Sequence, residues 1–135
     1  MNKSLNTPIM DLTYAERRDM IQFAKKWCAA CFGVNNRHSK PLSVRCIEPD
    51  EDDFENVYYG WYDQVANRIY INLNHSRRIK QFIKTFLHEF RIKGSGAGKL
   101  SLWSKDCFAV ADKVNKGRNL SATEAICQKI LLDNW

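Results

Sequence analysis

The sequence lacks any apolar run that approaches the roughly 18 residues of a membrane helix, so we expect no membrane-spanning segment and no membrane partner. No apolar signal core follows residues 1–4, which predicts a cytoplasmic protein. Internal repeats are absent as well. With 135 residues, 44% of them hydrophobic, the chain predicts one globular domain over residues 1–135.

The cysteines lack the even count and regular spacing of a disulfide framework. There are five, scattered through apolar or helical segments. This distribution fits reduced, mostly buried thiols better than disulfides. The five are Cys28, Cys31, Cys46, Cys107 and Cys127.

Bases are absent from residues 48–55, here called the acidic segment, which holds six of the fifteen acids. The rest of the chain has 9 acids against 21 bases, a net charge of +12. A body this basic suits nucleic acid or an acidic partner, although Lys and Arg also simply solvate helix faces. The acidic segment predicts a solvated loop or an internal counterweight to the basic body. It lacks the spaced oxygen ligands and central Gly of a calcium loop.

Hydrophobic periodicity predicts an α+β fold in which a small, antiparallel-rich three-stranded sheet packs on one helix. A capping box at residues 13–16 opens the first helix, and a hairpin loop at 63–66 joins the last two strands. We expect Phe82, Phe86, Leu87 and Phe90 to be buried. The predicted elements are a first helix ending near Gly33, strands 42–47, 57–62 and 67–73, a helix near 77–92, and helices 102–114 and 121–132.

The helix near 77–92 carries most of a zinc-peptidase motif. In H-E-x-x-H, two imidazoles lie one helical turn apart and the Glu between them acts as general base. His88 and Glu89 match the first two positions, but Ile92 stands where the second His belongs. Ile92 cannot coordinate a cation, and the neighbouring Arg91 would repel one.

The order of helix, strand, residues 59–63, residues 68–72 and a helix with His88-Glu89-Phe90 resembles the small zincin-like metallopeptidases. Phages and other mobile elements encode many members of this family, which is related in outline to the SprT-type and ImmA-type proteins. The resemblance covers about residues 10–92. It implies a minimal zincin-like domain with an N-terminal helix, a hairpin beside an active-site-type helix, and two C-terminal helices. It also implies Glu89 as the catalytic base and His88 and Glu124 as zinc ligands. The chain departs from the family at Ile92 and at the glycine turn 94–98, which breaks a helix that the family usually continues.

The first functional hypothesis is a metallopeptidase-like protein of phage or mobile-element origin. With two of three zinc ligands, it is expected to be a degenerate relative that binds a peptide or protein, with zinc held weakly or not at all. Were it active, Glu89 would polarise a zinc-bound water. Cys107, Cys127 or His75 as a replacement ligand has no supporting spacing.

The alternative hypothesis is a non-enzymatic basic module that binds nucleic acid or a host protein. Other interpretations of single residues also stay open. His88 suits a hydrogen-bonded core position, Glu89 suits an ion pair with Lys93, and Glu124 suits a capping box that begins at Ser121. The aromatic residues 58–62 suit either base stacking or core packing. The candidate binding residues of the basic module are Arg77, Arg78, Lys80, Lys84, Arg91, Lys93 and Lys99.

Overall fold

The computed structural model describes residues 3–32, 39–91 and 107–134. The predicted α+β class is confirmed, with four helices and a three-stranded sheet among these residues. Ile92, Lys93, Lys99 and the glycine turn lie outside them. The helices and strands are α1 (Tyr14–Phe32), β1 (Ser43–Ile47), β2 (Gly60–Asp63), β3 (Arg68–Asn72), α2 (Ile79–Glu89), α3 (Cys107–Asn115) and α4 (Ala122–Asp133).

Helix α1 begins at the predicted capping box. The Thr13 hydroxyl accepts from the Glu16 N–H at 3.1 Å, and the Glu16 carboxylate accepts from the Thr13 N–H at 3.0 Å. These two bonds satisfy orphan donors at the helix start. One face of α1 is buried where the helix packs on α3 and α4. None of the described helices is long and apolar enough to cross a membrane.

The sheet has the strand order β1-β3-β2, with β3 in the centre. Strand β2 pairs with β3 antiparallel through a hairpin, but β1 pairs with β3 in parallel, from Ser43 opposite Arg68 to Ile47 opposite Asn72. The prediction of an antiparallel-rich sheet is therefore wrong for β1. The cause is the long connection after β1, which carries the chain across the end of β3 and places β2 on the far edge.

Two buried or bridging asparagines hold that connection in place. The Asn72 side chain, fully buried, donates to the carbonyls of Asn56 at 3.3 Å and Tyr58 at 3.0 Å. The Asn74 side chain donates to the Pro49 carbonyl and to Asn56 Oδ1, both at 2.9 Å. Backbone groups that would otherwise lack partners are thus paired across the end of the sheet.

The second strand starts later than predicted, at Gly60 rather than near 57. A short 3-10 turn spans Phe54–Val57, and Tyr58 and Tyr59 follow it with 51% of each residue exposed. Their carbonyls face Asn72, which holds this stretch beside the sheet end. The hairpin turn then closes with Asn67 at a positive φ of 51°, a conformation that Asn tolerates.

The inner face of the sheet packs on α2. Ile69 and Ile71 of β3 are fully buried, and the α2 prediction is confirmed because Phe82, Phe86, Leu87 and Phe90 are all buried. Helices α1 and α4 contribute to the same apolar cluster. The fold thus holds α2 between the sheet and the other helices. One face of α2 lies along the edge of β2.

Candidate functional site

An open cleft of about 490 Å³ lies between β2 and α2. Four consecutive residues, two before β2 and the first two of β2, form one wall, and one face of α2 forms the other. The cleft is lined by Tyr58, Tyr59, Gly60, Trp61, Gln81, Lys84, Thr85, His88 and Glu89. The α2 residues are three, four and seven positions before His88 or adjacent to it, which is the spacing of a single helix face.

Gly60 lets the strand approach the helix closely. A Cβ at this position would lie 2.6 Å from the Tyr70 carbonyl oxygen and 2.7 Å from Thr85 Cγ2. Thr85 is itself fixed, since its hydroxyl lies 2.9 Å from that of the buried Ser76. The width of the cleft is therefore set by a glycine facing a buried threonine.

His88 and Glu89 both line this cleft. The His88 side chain is exposed, so the interpretation of His88 as a core residue is wrong. Glu89 is only 8% exposed. The two side chains thus offer the cleft an accessible imidazole beside a buried carboxylate.

The regular part of α2 ends at Glu89, earlier than the predicted end near 92. Phe90 and Arg91 continue it as a wider, π-helical turn. Residue 92 was expected beside His88 because side chains four positions apart meet on an α-helix. Such a contact requires α-helix through residue 92; the α-helix ends at Glu89, and residue 92 itself lies outside the described residues.

Glu124 closes the capping box of α4, as its second interpretation predicts. Its backbone N–H donates to the Ser121 hydroxyl at 3.2 Å, and its carboxylate accepts from the Ser121 N–H at 3.1 Å and from Arg118 at 2.8 Å. Burial raises the pKa of this carboxyl, but the hydrogen bonds from Ser121 and Arg118 outweigh it and leave the pKa below its ordinary value. Glu124 is thus a paired carboxylate at a helix start.

Glu124 and His88 do not line the same cleft. Glu124 lies with Asp19, Lys26 and Arg118 on a separate cleft between α1 and α4. Within residues 3–32, 39–91 and 107–134, no group of three His, Cys, Asp or Glu side chains could hold a metal ion. Catalytic zinc needs three protein ligands, and these residues do not provide them. The assignment of His88 and Glu124 as ligands stays a prediction without geometric support.

Two of the three candidate replacement ligands, His75 and Cys127, are poorly suited to bind zinc beside His88. His75 stacks on Tyr59, with ring centroids 5.1 Å apart, and its Nε2 contacts the Asn56 carbonyl. Cys127 is fully buried, and burial raises the pKa of its thiol far above the ordinary value. A buried neutral thiol is a poor ligand because zinc binds the thiolate. The Cys107 side chain lies outside the described residues.

The predicted basic residues differ in their exposure. Arg77, Arg78, Lys80 and Lys84 are exposed. Arg91 is half-buried, with its guanidinium 5.9 Å from the centre of the Phe32 ring, and burial lowers its pKa. A basic surface on α2 therefore includes Lys80 and Lys84 but not Arg91.

Strand β2 lies at the edge of the sheet and lines the cleft at Gly60, and within the described residues some of its backbone groups have no hydrogen-bond partner. The Asn72 N–H donates to the Tyr59 carbonyl at 2.9 Å, which makes these two residues a hydrogen-bonded pair. In an antiparallel ladder such pairs alternate, so Trp61 is also paired inward. The N–H and C=O groups of Gly60 and Tyr62 consequently point to the open edge.

Sequence reasoning missed Gly60, Gln81 and Thr85. The two α2 residues carried a usable signal, since they lie seven and three positions before His88. Gly60 carried none that the local sequence could reveal, because its role depends on the approach of a helix from elsewhere in the chain.

No protein-family model, curated protein or solved structure matches this chain. A function can therefore be inferred only from the chemistry of the cleft and of the surfaces around it.

Proposed function

We propose that this chain is a metallopeptidase-like protein that binds an extended segment of a peptide or protein in the cleft between β2 and α2. It is a degenerate relative of the small zincin-like metallopeptidases, of phage or mobile-element origin, and it acts by binding rather than by cleavage. The observation that carries the proposal is that His88 and Glu89 line one cleft together with the open edge of β2.

The open edge supports binding of an extended chain. An incoming strand pairs with the outward-pointing N–H and C=O groups of Gly60 and Tyr62, as in other proteins that add a peptide to a sheet edge. Main-chain hydrogen bonds give such complexes affinity, and pockets for alternate side chains give specificity. Strand β2 has only four residues, so the paired core of the ligand is short.

The walls of the cleft define the chemistry of the ligand. Tyr58 and Tyr59 are each 51% exposed and provide amphipathic contact area at one end. Lys84 and His88 are exposed on the α2 wall, one helical turn apart. A peptide with an apolar or aromatic side chain followed by an acidic one fits these two features.

A matched pair of α2 variants tests this function. Peptides selected from a random linear library against the whole protein should bind about three- to tenfold more weakly to Lys84→Ala, because that lysine faces the ligand. Lys80→Ala should bind like the wild type, since Lys80 is equally exposed on the same helix but does not line the cleft. Isothermal titration measures both affinities.

Two readouts distinguish binding in the cleft from other outcomes. Bound peptide should protect the amides of Gly60 and Tyr62 from hydrogen exchange, because these are the groups that face the open edge. Equal affinities of the two lysine variants would place the peptide elsewhere. If the protein cleaves these peptides and a chelator abolishes the cleavage, the protein is a working metallopeptidase and the proposal is overturned.

A further inference from the structure

The sheet has a second face, which is directed away from α2 and has no role in the peptide binding proposed above. Alternation places Ile69 and Ile71 of β3 inward, so Tyr70 points to the opposite side. The strand register sets Arg45 of β1 and Trp61 of β2 on either side of Tyr70. We call this side the outer face. Its residues, row by row from the end at Asn72, are Ile47 and Asn72, then Arg45, Tyr70 and Trp61, then Ser43, Arg68 and Asp63.

The outer face carries a stacked column of planar groups. The rings of Trp61 and Tyr70 stack with centroids 5.2 Å apart and an angle of 20° between their planes. The guanidinium of Arg68 lies 5.9 Å from the centre of the Tyr70 ring. Trp61 and Tyr70 are half-buried and lie outside the apolar core, whereas Tyr62 on the inner side packs against it. The column is thus a surface feature.

Within the described part of the chain, no ion pair engages the arginines of this face. Arg45 is exposed, and neither Arg45 nor Arg68 forms an ion pair among these residues. Arg68 donates instead to two hydroxyls, that of Ser43 at 3.0 Å and that of Tyr70 at 3.4 Å. The nearby Asp63 accepts from two N–H groups of the hairpin turn, from Val65 at 2.9 Å and Ala66 at 3.2 Å. Two guanidinium groups therefore remain available to an anionic ligand.

We infer that the outer face is a binding site for single-stranded nucleic acid. An unpaired base extends the column by stacking on Trp61, which ends it on the edge strand, and the flanking phosphates contact Arg45 and Arg68. Aromatic residues on a small open sheet, with arginines beside them, are the combination that binds single strands with little sequence preference. A duplex cannot use the column because its bases are already stacked and paired.

The acidic segment limits where the single-stranded nucleic acid lies on the sheet. It follows β1 directly, at the end of the sheet that Asn72 occupies, and all six of its acids are exposed. Phosphates are repelled from that end and attracted to the rows of Arg45 and Arg68. The nucleic acid consequently crosses the sheet near its other end, beside the hairpin turn.

This site is separate from the peptide cleft. Arg45, Arg68 and Tyr70 do not line the cleft, and Trp61 is the residue that the two surfaces share. Failure of one proposal therefore leaves the other standing. Variants at Arg45 and Tyr70 address the outer face alone.

Fluorescence anisotropy of a labelled oligothymidylate of about 12 nucleotides, at about 50 mM salt, tests the inference on the whole protein. The wild type should bind the oligothymidylate at least about tenfold more tightly than an abasic strand of equal length and charge, because stacking needs bases. Arg45→Glu should weaken binding by about tenfold. Lys80→Glu, with the same charge change on exposed α2, should weaken it by no more than about threefold.

Ring-conserving variants keep the test independent of folding. Tyr70→Phe keeps the ring but loses the hydroxyl that accepts from Arg68, so it should lose no more than about threefold in affinity. Tyr70→Ala should lose most of the affinity while its thermal melt stays cooperative. Equal binding of the abasic strand, tighter binding of duplex, or equal losses in Arg45→Glu and Lys80→Glu would each overturn the inference. Full displacement of the oligonucleotide by polyglutamate at matched charge would also overturn it, because the surface would then select charge alone.

Discussion

Replacing Phe86 by Ala should lower the free energy of unfolding by about 3–5 kcal/mol. Phe86 is 1% exposed on the buried face of α2, and its ring lies 5.7 Å from that of Phe90. The loss combines the transfer free energy of the ring with the cavity that it leaves between the sheet and the helices. Because α2 forms one wall of the cleft, the same change should also loosen peptide binding.

Urea denaturation measures this loss, and the chain offers a matched control. Phe54 is 75% exposed in the turn before β2, so Phe54→Ala should change the free energy of unfolding by no more than about 0.5 kcal/mol. A Phe86→Ala loss as small as that of Phe54→Ala would mean that this face of α2 is not buried.

Asn72→Ala should cost about 2–4 kcal/mol, although it removes only a small polar side chain. Asn72 is fully buried, and its amide donates to the carbonyls of Asn56 and Tyr58 while its oxygen accepts from the Asn74 N–H at 2.9 Å. Removing it leaves several polar groups without partners at the sheet end. The connection between β1 and β2 should then open locally.

Hydrogen exchange and urea denaturation together test this role. The amide of Asn74 should exchange faster in Asn72→Ala, because its acceptor is gone. Asn74→Ala is the control, since the Asn74 side chain bonds the same connection from an exposed position and should cost only about 1 kcal/mol. Similar losses in the two variants would show that Asn72 has no special structural role.

The helices were the most predictable part of the fold. Their signals are local: a reciprocal cap at Thr13 and Glu16, and apolar residues such as Phe82 and Phe86 at helical spacing. Local backbone hydrogen bonds complete a helix from the same stretch of chain that carries its pattern. Such elements can therefore be read from sequence without knowledge of their neighbours.

The sheet topology could not be predicted in the same way. Alternation located β1 but carries no information about which strand it pairs with or in which direction. The connection that places β2 beyond β3 is held by Asn72 and Asn74, two polar residues that resemble ordinary surface asparagines in the sequence. Only the contacts that they make across 14 to 25 residues reveal that one of them is buried and that both hold the connection.

The candidate site was predictable in part. The motif placed His88 and Glu89 together, and both line the cleft. Glu124 had two competing interpretations that rest on the same residues, and the contacts confirm the cap at Ser121. The departure of α2 from regular helix after Glu89 has no evident sequence signal, because Phe90 and Arg91 continue the apolar and polar pattern of the helix.

The acidic segment was expected to be a solvated loop or an internal counterweight to the basic body. Within the described residues, none of its six acids forms an ion pair, and all are exposed. Among the described residues, the acidic segment therefore forms no direct ion pair with the basic body. Its charge instead faces the solvent at one end of the sheet, where it repels anionic ligands.

Zinc titration of the purified chain, beside its Ile92→His variant, tests the central claim that the cleft works without a metal. The account predicts no binding by the wild type at about 1 μM free zinc. It also predicts a gain of less than about tenfold in the variant, because Glu124 is engaged in the α4 cap and does not share the cleft of His88. Tight binding of one zinc ion per wild-type chain would contradict the account.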